Sequence, residues 1–259
     1  TLNIGSHTLQ FFMAPMVHWP EVMVTYEQTE KILFSADAFG KFGALDVEEE
    51  WLPEARRYYI NIVGKYGVQV QSLLKKTAAL DISIICPLHG PILKDDLEFY
   101  INKYDIWSKY EPEDDGVLIA YASIHGNTKK VAEEIYKLLK EKYNVEKVAI
   151  TDLARDDMAE AVEDAFRYDK MILAASTYNM DVFTPMKMFL HELKSRNYQK
   201  RKVALVENAT WAATAARVMK AELESMKEIE IIENAITIKS SMKSEDLDKI
   251  DAFINGLIN

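Results

Sequence analysis

Residues 116–130 read GVLIAYASIHGNTKK. The first seven are apolar without alternation, as in a parallel strand covered on both faces. A short polar turn with one glycine follows, and then a helix whose apolar positions Val131, Ile135, Leu138 and Leu139 share one face. Working outward, the alternation repeats. VEKVAI (145–150) is a second strand, and a helix with Asp156 as N-cap carries Met158, Ala161, Val162, Ala165 and Phe166 as one stripe. KMILAAS (170–176), KVALVEN (202–208) and IEIIENAITI (229–238) are the remaining strands, with helices predicted over 184–195 and 212–226 between them. Ser244 caps the last helix, with Glu245 and Asp246 where its dipole favours acids. The expected class is α/β, a doubly wound five-stranded parallel sheet over residues 116–259. Ligands of such sheets bind beyond the carboxyl ends of the strands, at the switch point.

Three strand ends then become candidate ligand contacts. After strand one come Ser123, Ile124, His125, Gly126, Asn127 and Thr128, at the mouth of a helix. Converging N–H groups, a helix dipole and two hydroxyls suit a phosphate dianion, and the turn contains no Lys or Arg. A plain polar loop with an N-cap threonine accounts for the same residues. Strand three runs into Ser176, Thr177, Tyr178 and Asn179, and strand four into Asn208, Ala209, Thr210 and Trp211. An aromatic stack and polar edges at neighbouring strand ends suit a flat isoalloxazine, so FMN is the expected ligand. A lone tryptophan in the core is the competing account of Trp211.

The rest of the chain is organised differently. EPEDDG (111–116) is an acidic, proline-bearing break between residues 1–110 and 116–259. HTLQFFMAPMVHWP (7–20) and VMVTYEQTEKILFSAD (22–37) read as a sheet edge and a hairpin. A helical stretch is predicted over 47–80, interrupted near Gly64 and Gly67, then a strand DISIICP (81–87) and a helix over 95–110. His7 and His191 read as structural and exposed, His125 as acting through its backbone, and Cys86 as core.

The formal charge of -10 disfavours nucleic acid and anionic membrane as partners. The single cysteine excludes an internal disulfide and fits a reducing compartment. With no spanning apolar run and no signal peptide, the expected location is cytoplasmic. The chain opens on Thr1 and enters strand-like sequence at once, which predicts an upstream segment in the full-length protein.

The order of strands with the SIHGNT, STYN and ATW turns resembles the flavodoxin-like domain of flavodiiron proteins. The resemblance implies phosphate contacts from Ser123 through Thr128, and ring and ribityl contacts from 176–179 and 208–211. It leads one to expect a glycine near position 209, where Ala209 stands and would crowd the flavin edge. Residues 1–110, through the 7–43 stretch and CPLHGPIL (86–93), resemble the second half of the family's metallo-β-lactamase-like αββα domain. By position, His18 and His89 resemble iron-ligating histidines, and Asp37 the aspartate bridging two irons. The family's His-x-Glu-x-Asp-His motif has no counterpart in the sequence, so three ligands are left to serve a diiron site. The chain alone is therefore expected to hold iron weakly or not at all.

The activity implied is flavodiiron oxidoreduction: electrons from a small donor such as rubredoxin, through FMN and diiron, to oxygen or nitric oxide. The implied assembly is a homodimer or tetramer, with a missing segment or neighbouring subunit covering the apolar strands of the first half. The alternative is an FMN electron carrier with no functional metal site. A cofactor-free receiver is disfavoured because ASIHGNT lacks the acidic cluster such modules carry after strand one.

Overall fold

The computed structural model describes residues 1–258, which form two compact units, 1–111 and 112–258. No helix among the described residues is long and apolar enough to cross a membrane.

The first unit carries a sheet of β1 (Leu2–Asn3), β2 (Thr8–Met13), β3 (Met23–Glu27), β4 (Ile32–Phe34) and β5 (Ile84–Cys86), ordered as in the chain. Neighbours are antiparallel except for the parallel pair β4 and β5. Register places Tyr26, Leu33 and Ile85 in one row, and all three are buried. The adjacent rows put Phe11 beside Thr25 and Phe34, and Met13 beside Met23, on the opposite face. That face is open: Phe11, Met13, Met23 and Phe34 are all exposed. Cys86, read as core, lies in register with Phe34 and is only half-buried.

Helices α1 (Trp51–Tyr58), α2 (Gly67–Thr77) and α3 (Leu97–Ser108) complete the unit. A π-helical turn, Tyr59–Val63, and a 3-10 turn, Gly64–Tyr66, join α1 to α2, so the interruption read at the two glycines is real. The helical stretch starts at Trp51 rather than at 47, because 47–50 leads in with Glu50 extended. An apolar cavity of about 940 Å³ is lined by Val24, Leu33 and Ile85 of the sheet, Leu73 of α2 and Tyr104 of α3.

The second unit begins with β6 (Asp114–Ala122), α4 (Asn127–Glu141), β7 (Val148–Asp152) and α5 (Met158–Arg167). It continues through β8 (Tyr168–Tyr178), the two-residue β9 (Asp181–Val182), α6 (Thr184–Ser195), β10 (Gln199–Ala209) and α7 (Ala215–Glu224). It closes with β11 (Lys227–Ile231), β12 (Ile236–Lys239) and α8 (Ser244–Ile258). The main sheet runs β11-β10-β8-β6-β7, all parallel. Val117, Ile119, Ile172 and Val206 pack on α4 and α8 through Val131, Ile135, Ile250 and Ile254. The alternate residues Leu118, Met171, Leu173 and Leu205 are equally buried and turn to the other face, where α5, α6 and α7 lie. Burial on both faces is why these strands read as unbroken apolar runs.

Four local readings are corrected. The run 229–238 is two strands, not one, each parallel to β10. Between the pairs Val203–Ile231 and Val206–Ile236, two extra residues loop out, with Asn234 at φ +68, a conformation asparagine tolerates. The N-cap of α5 is Asp157, whose Oδ1 accepts from the Ala159 N–H at 2.7 Å. Asp156 instead accepts from the Asp152 N–H, closing the preceding turn. Helix α7 starts at Ala215, leaving 210–213 as a loop. At α8 the acids stand in the first turn as read, but Ser244 is already helical, and the Asp246 carboxylate accepts from the Lys243 N–H.

Candidate functional site

The chain leaves β6 at Ser123, 3% exposed, whose hydroxyl accepts from the Gly126 N–H at 3.0 Å. Gly126 is left-handed, φ +86, and a Cβ there would meet nothing within 4 Å, so backbone conformation rather than space calls for glycine. It is the N-cap residue of α4 and uses no side chain, which leaves the helix start with unsatisfied N–H groups and the positive end of a dipole. Thr128, in the first turn, is buried and its Oγ1 lies 2.9 Å from Ser176 Oγ, tying α4 to the end of β8.

Beyond Ser176 the chain reverses through Asn179 and Met180, both left-handed at φ +51 and +58, and returns as β9 against Thr177 and Tyr178. Thr177 Oγ1 accepts from the N–H groups of Thr214 and Ala215 at 3.1 and 3.2 Å. At the end of β10, Asn208 Nδ2 donates to the Ser240 carbonyl at 2.8 Å, and Thr210 Oγ1 is 3.3 Å from Ser240 Oγ. Trp211 is 89% exposed, so it is not a core tryptophan.

These turns enclose a cavity of about 500 Å³ at the carboxyl ends of the strands. Ser123, Ile124, His125, Asn127 and Thr128 line it from the first turn. Ser176, Thr177 and Asn179 line it from the second, and Asn208, Ala209, Thr210 and Trp211 from the third. Gly126 contributes conformation rather than lining, and Tyr178 stands outside, its ring edge-on to Phe183 at 6.0 Å. Met180, Ala212 and Ser240 complete the wall and were missed by the sequence reading. Ser240 was legible in principle, since it follows β12 directly, at a fourth strand end. No Lys or Arg side chain lines the cavity. An anion here would be met by the α4 terminus and by hydroxyls, with an indole free to cover a flat ring.

In the first unit, three strand ends bring together His18, Asp37 and His89. His18 lies between β2 and β3, Asp37 follows β4 and His89 follows β5. Asp37 stands between the imidazoles, Oδ2 3.4 Å from His18 Nε2 and Oδ1 3.7 Å from His89 Nε2. His89 Nδ1 lies 3.0 Å from the Lys41 carbonyl, and the edge of Tyr58 meets its ring at 4.6 Å. A Cβ on Gly40 would fall 2.4 Å from the His89 ring, so glycine leaves that imidazole its room. The turn around Asp37 is strained, with Ala36 and Phe39 at φ +52 and +66, and the Phe39 N–H is held by the Tyr104 hydroxyl at 2.7 Å. Burial, and secondarily the Asp37 carboxylate, push the Tyr58 phenol far above its ordinary range, and its hydroxyl is buried without a partner. Among the described residues, no group of three or more His, Cys, Asp and Glu is arranged to hold a metal ion. The imidazole–carboxylate–imidazole row has the donor chemistry iron accepts, but it is not a two-iron centre by itself.

Comparison with known proteins bears on both units. The flavodoxin domain family matches residues 118–250, and the ODP family beta lactamase matches residues 1–90. An uncharacterized protein of Methanocaldococcus jannaschii is 30% identical over 97% of this chain and 65% of its own length. The anaerobic nitric oxide reductase flavorubredoxin of Aeromonas salmonicida is 28% identical over 83% of this chain and 43% of its own. The chain thus spans only about half to two thirds of these relatives. The flavo di-iron protein of Thermotoga maritima superposes with a TM-score of 0.84 at 27% identity, covering 99% of this chain and 65% of that one. The rubredoxin oxygen:oxidoreductase of Desulfovibrio gigas shares the fold, with a TM-score of 0.90 at 22% identity over 99% of this chain and 66% of that one. The chain belongs to the flavodoxin-domain family, and its pairing of that domain with a beta-lactamase-family segment is the one found in flavodiiron proteins.

Proposed function

We propose that the cavity of the second unit binds FMN and that the complete protein is an oxidoreductase of flavodiiron type. Such a protein would reduce oxygen to water, or nitric oxide to nitrous oxide, with electrons from a small donor such as rubredoxin. The observation that carries the reading is the convergence of the 123–128, 176–180 and 208–212 turns on one cavity of about 500 Å³. That size is in the range of small-ligand sites. The names of the Aeromonas salmonicida and Thermotoga maritima relatives favour the same class.

The residues fit the cofactor. Ser123 and Thr128 present buried hydroxyls beside the uncapped start of α4, a set suited to a phosphate dianion. Asn179 and Asn208 supply amides for polar ring edges, and Trp211 supplies a free aromatic face. Bound there, FMN supplies one- and two-electron redox chemistry, while the chain grips, orients and shields it. Ala209 lines the cavity, so its methyl group narrows the space at the ring edge where glycine would not.

The metal centre is a different case. His18, Asp37 and His89 are the donors this chain would contribute to iron, yet they do not make up a diiron set. The remaining donors would have to come from another segment or subunit. This donor shortfall favours a second reading, a flavin electron carrier without a functional metal site.

Titration of flavin-free protein with FMN, followed by flavin and iron analysis of one sample, tests both. One FMN per chain and well under two irons are expected. Failure to bind FMN ends the proposal. FMN-loaded full-length protein that consumes neither oxygen nor nitric oxide under a reductant would establish the electron carrier instead.

A further inference from the structure

Helix α7 is capped in an unusual way. Its N-cap residue is Thr214, a residue type suited to closing a helix start, yet Thr214 makes no side-chain cap bond. Its hydroxyl is buried without a partner. The work is done by two residues from other strand ends. Thr177 Oγ1 accepts from the N–H groups of Thr214 and Ala215. Glu207 Oε2 accepts from the Ala216 N–H at 2.9 Å, while its Oε1 accepts from Thr237 Oγ1 at 2.8 Å. Glu207 is 7% exposed, and a carboxylate is not buried cheaply unless it is hydrogen-bonded. The loop carrying Trp211 is therefore pinned at both ends: by Asn208 and Thr210 on Ser240, and by Thr177 and Glu207 on the first turn of α7.

Between those pins Trp211 stands 89% exposed. An indole left to itself would gain free energy by folding onto apolar surface. We propose that Thr177 and Glu207 are positioning residues for the flavin: by bracing α7 they fix the 210–213 loop and so the place of Trp211 over the ring. The inference rests on the FMN reading, and it gives Thr177 a role distinct from direct contact. Glu207 was no part of the sequence-derived site. Its side chain leaves β10 on the face opposite to Asn208 and acts only through α7 and β12.

The test uses the full chain and the variants Thr177→Val, Thr177→Ser and Glu207→Met. In flavin-free protein, Thr177→Val and Glu207→Met should each speed hydrogen exchange at Thr214, Ala215 and Ala216 by about tenfold or more. On FMN titration the same variants should bind about tenfold more weakly and leave the saturated flavin brighter, since a displaced indole quenches less. Thr177→Ser should restore both. Helix capping alone would change exchange but not the brightness of bound FMN. Unchanged brightness and affinity in both Thr177→Val and Glu207→Met would overturn the proposal, as would a Thr177→Ser variant no better than Thr177→Val. If Thr177→Val does not fold, Glu207→Met carries the test. Wild-type protein that binds no FMN would sink the flavin reading and this proposal with it, whereas wild-type binding with unchanged variants would sink the proposal alone.

Discussion

Thr128 is 1% exposed, and its hydroxyl meets Ser176 at 2.9 Å where a phosphate would rest on the α4 start. Valine has nearly the same shape without the oxygen, so Thr128→Val removes one phosphate contact and leaves Ser176 short of a partner. An unsatisfied buried group costs about 1–3 kcal/mol, so FMN affinity should fall roughly tenfold to a hundredfold. Riboflavin, which has no phosphate, should bind as before. Equal losses for both flavins would mean that Thr128 does not face the phosphate. Trp211 makes the complementary prediction. Being almost fully exposed, it contributes little to the free protein, and Trp211→Ala should leave unfolding free energy within about 0.5 kcal/mol of the parent. The same change should weaken FMN about three- to tenfold, the worth of an aromatic stack. Thermal unfolding and fluorescence titration on one sample separate the two effects.

Elements of the second unit are joined at their amino ends by Asp114. Its carboxylate, 11% exposed, accepts from Lys147, just before β7, and from Arg167, the last residue of α5, at 2.6 Å to Nε. Burial pushes the Asp114 carboxyl up, but the bonds from Lys147 and Arg167 outweigh it and hold the group below the usual carboxylate range. A carboxyl depressed on folding stabilises the fold above its unfolded pKa of about 3.9, and that contribution fades as pH falls through the folded value. Asp114→Asn should thus cost about 1.5–3 kcal/mol at pH 7. The gap between variant and parent should shrink in urea titrations at about pH 3. A gap that persists undiminished in acid would show that packing, not charge, is lost.

The molecule as a whole presents one large anomaly, the open face of the first sheet. Phe11 and Phe34 flank Thr25, Met13 adjoins Met23, and all four apolar side chains are exposed. A contiguous apolar sheet face of this kind marks a surface meant to be covered. Size-exclusion chromatography with mass detection should find the chain associated, with itself or with a co-purifying fragment. Phe11→Glu combined with Phe34→Glu should release it. A parent that elutes as a lone 29.7 kDa species would refute the need for a cover.

Much of this is legible in the sequence. The class of the second unit followed from strands such as 117–122 being apolar on both faces, and the place of the cavity followed from where those strands end. Other features depended on contacts between distant residues. The break at 232–235 exists because both halves of that run pair with one strand, β10. Glu207 reads in sequence as an oddity inside a strand, and only tertiary packing brings Ala216 and Thr237 to its two oxygens. Periodicity and turn chemistry are carried by neighbours along the chain, so the sequence set the elements and the rim. Which polar groups satisfy one another across that rim is a matter of three-dimensional proximity, and that only the folded structure decided.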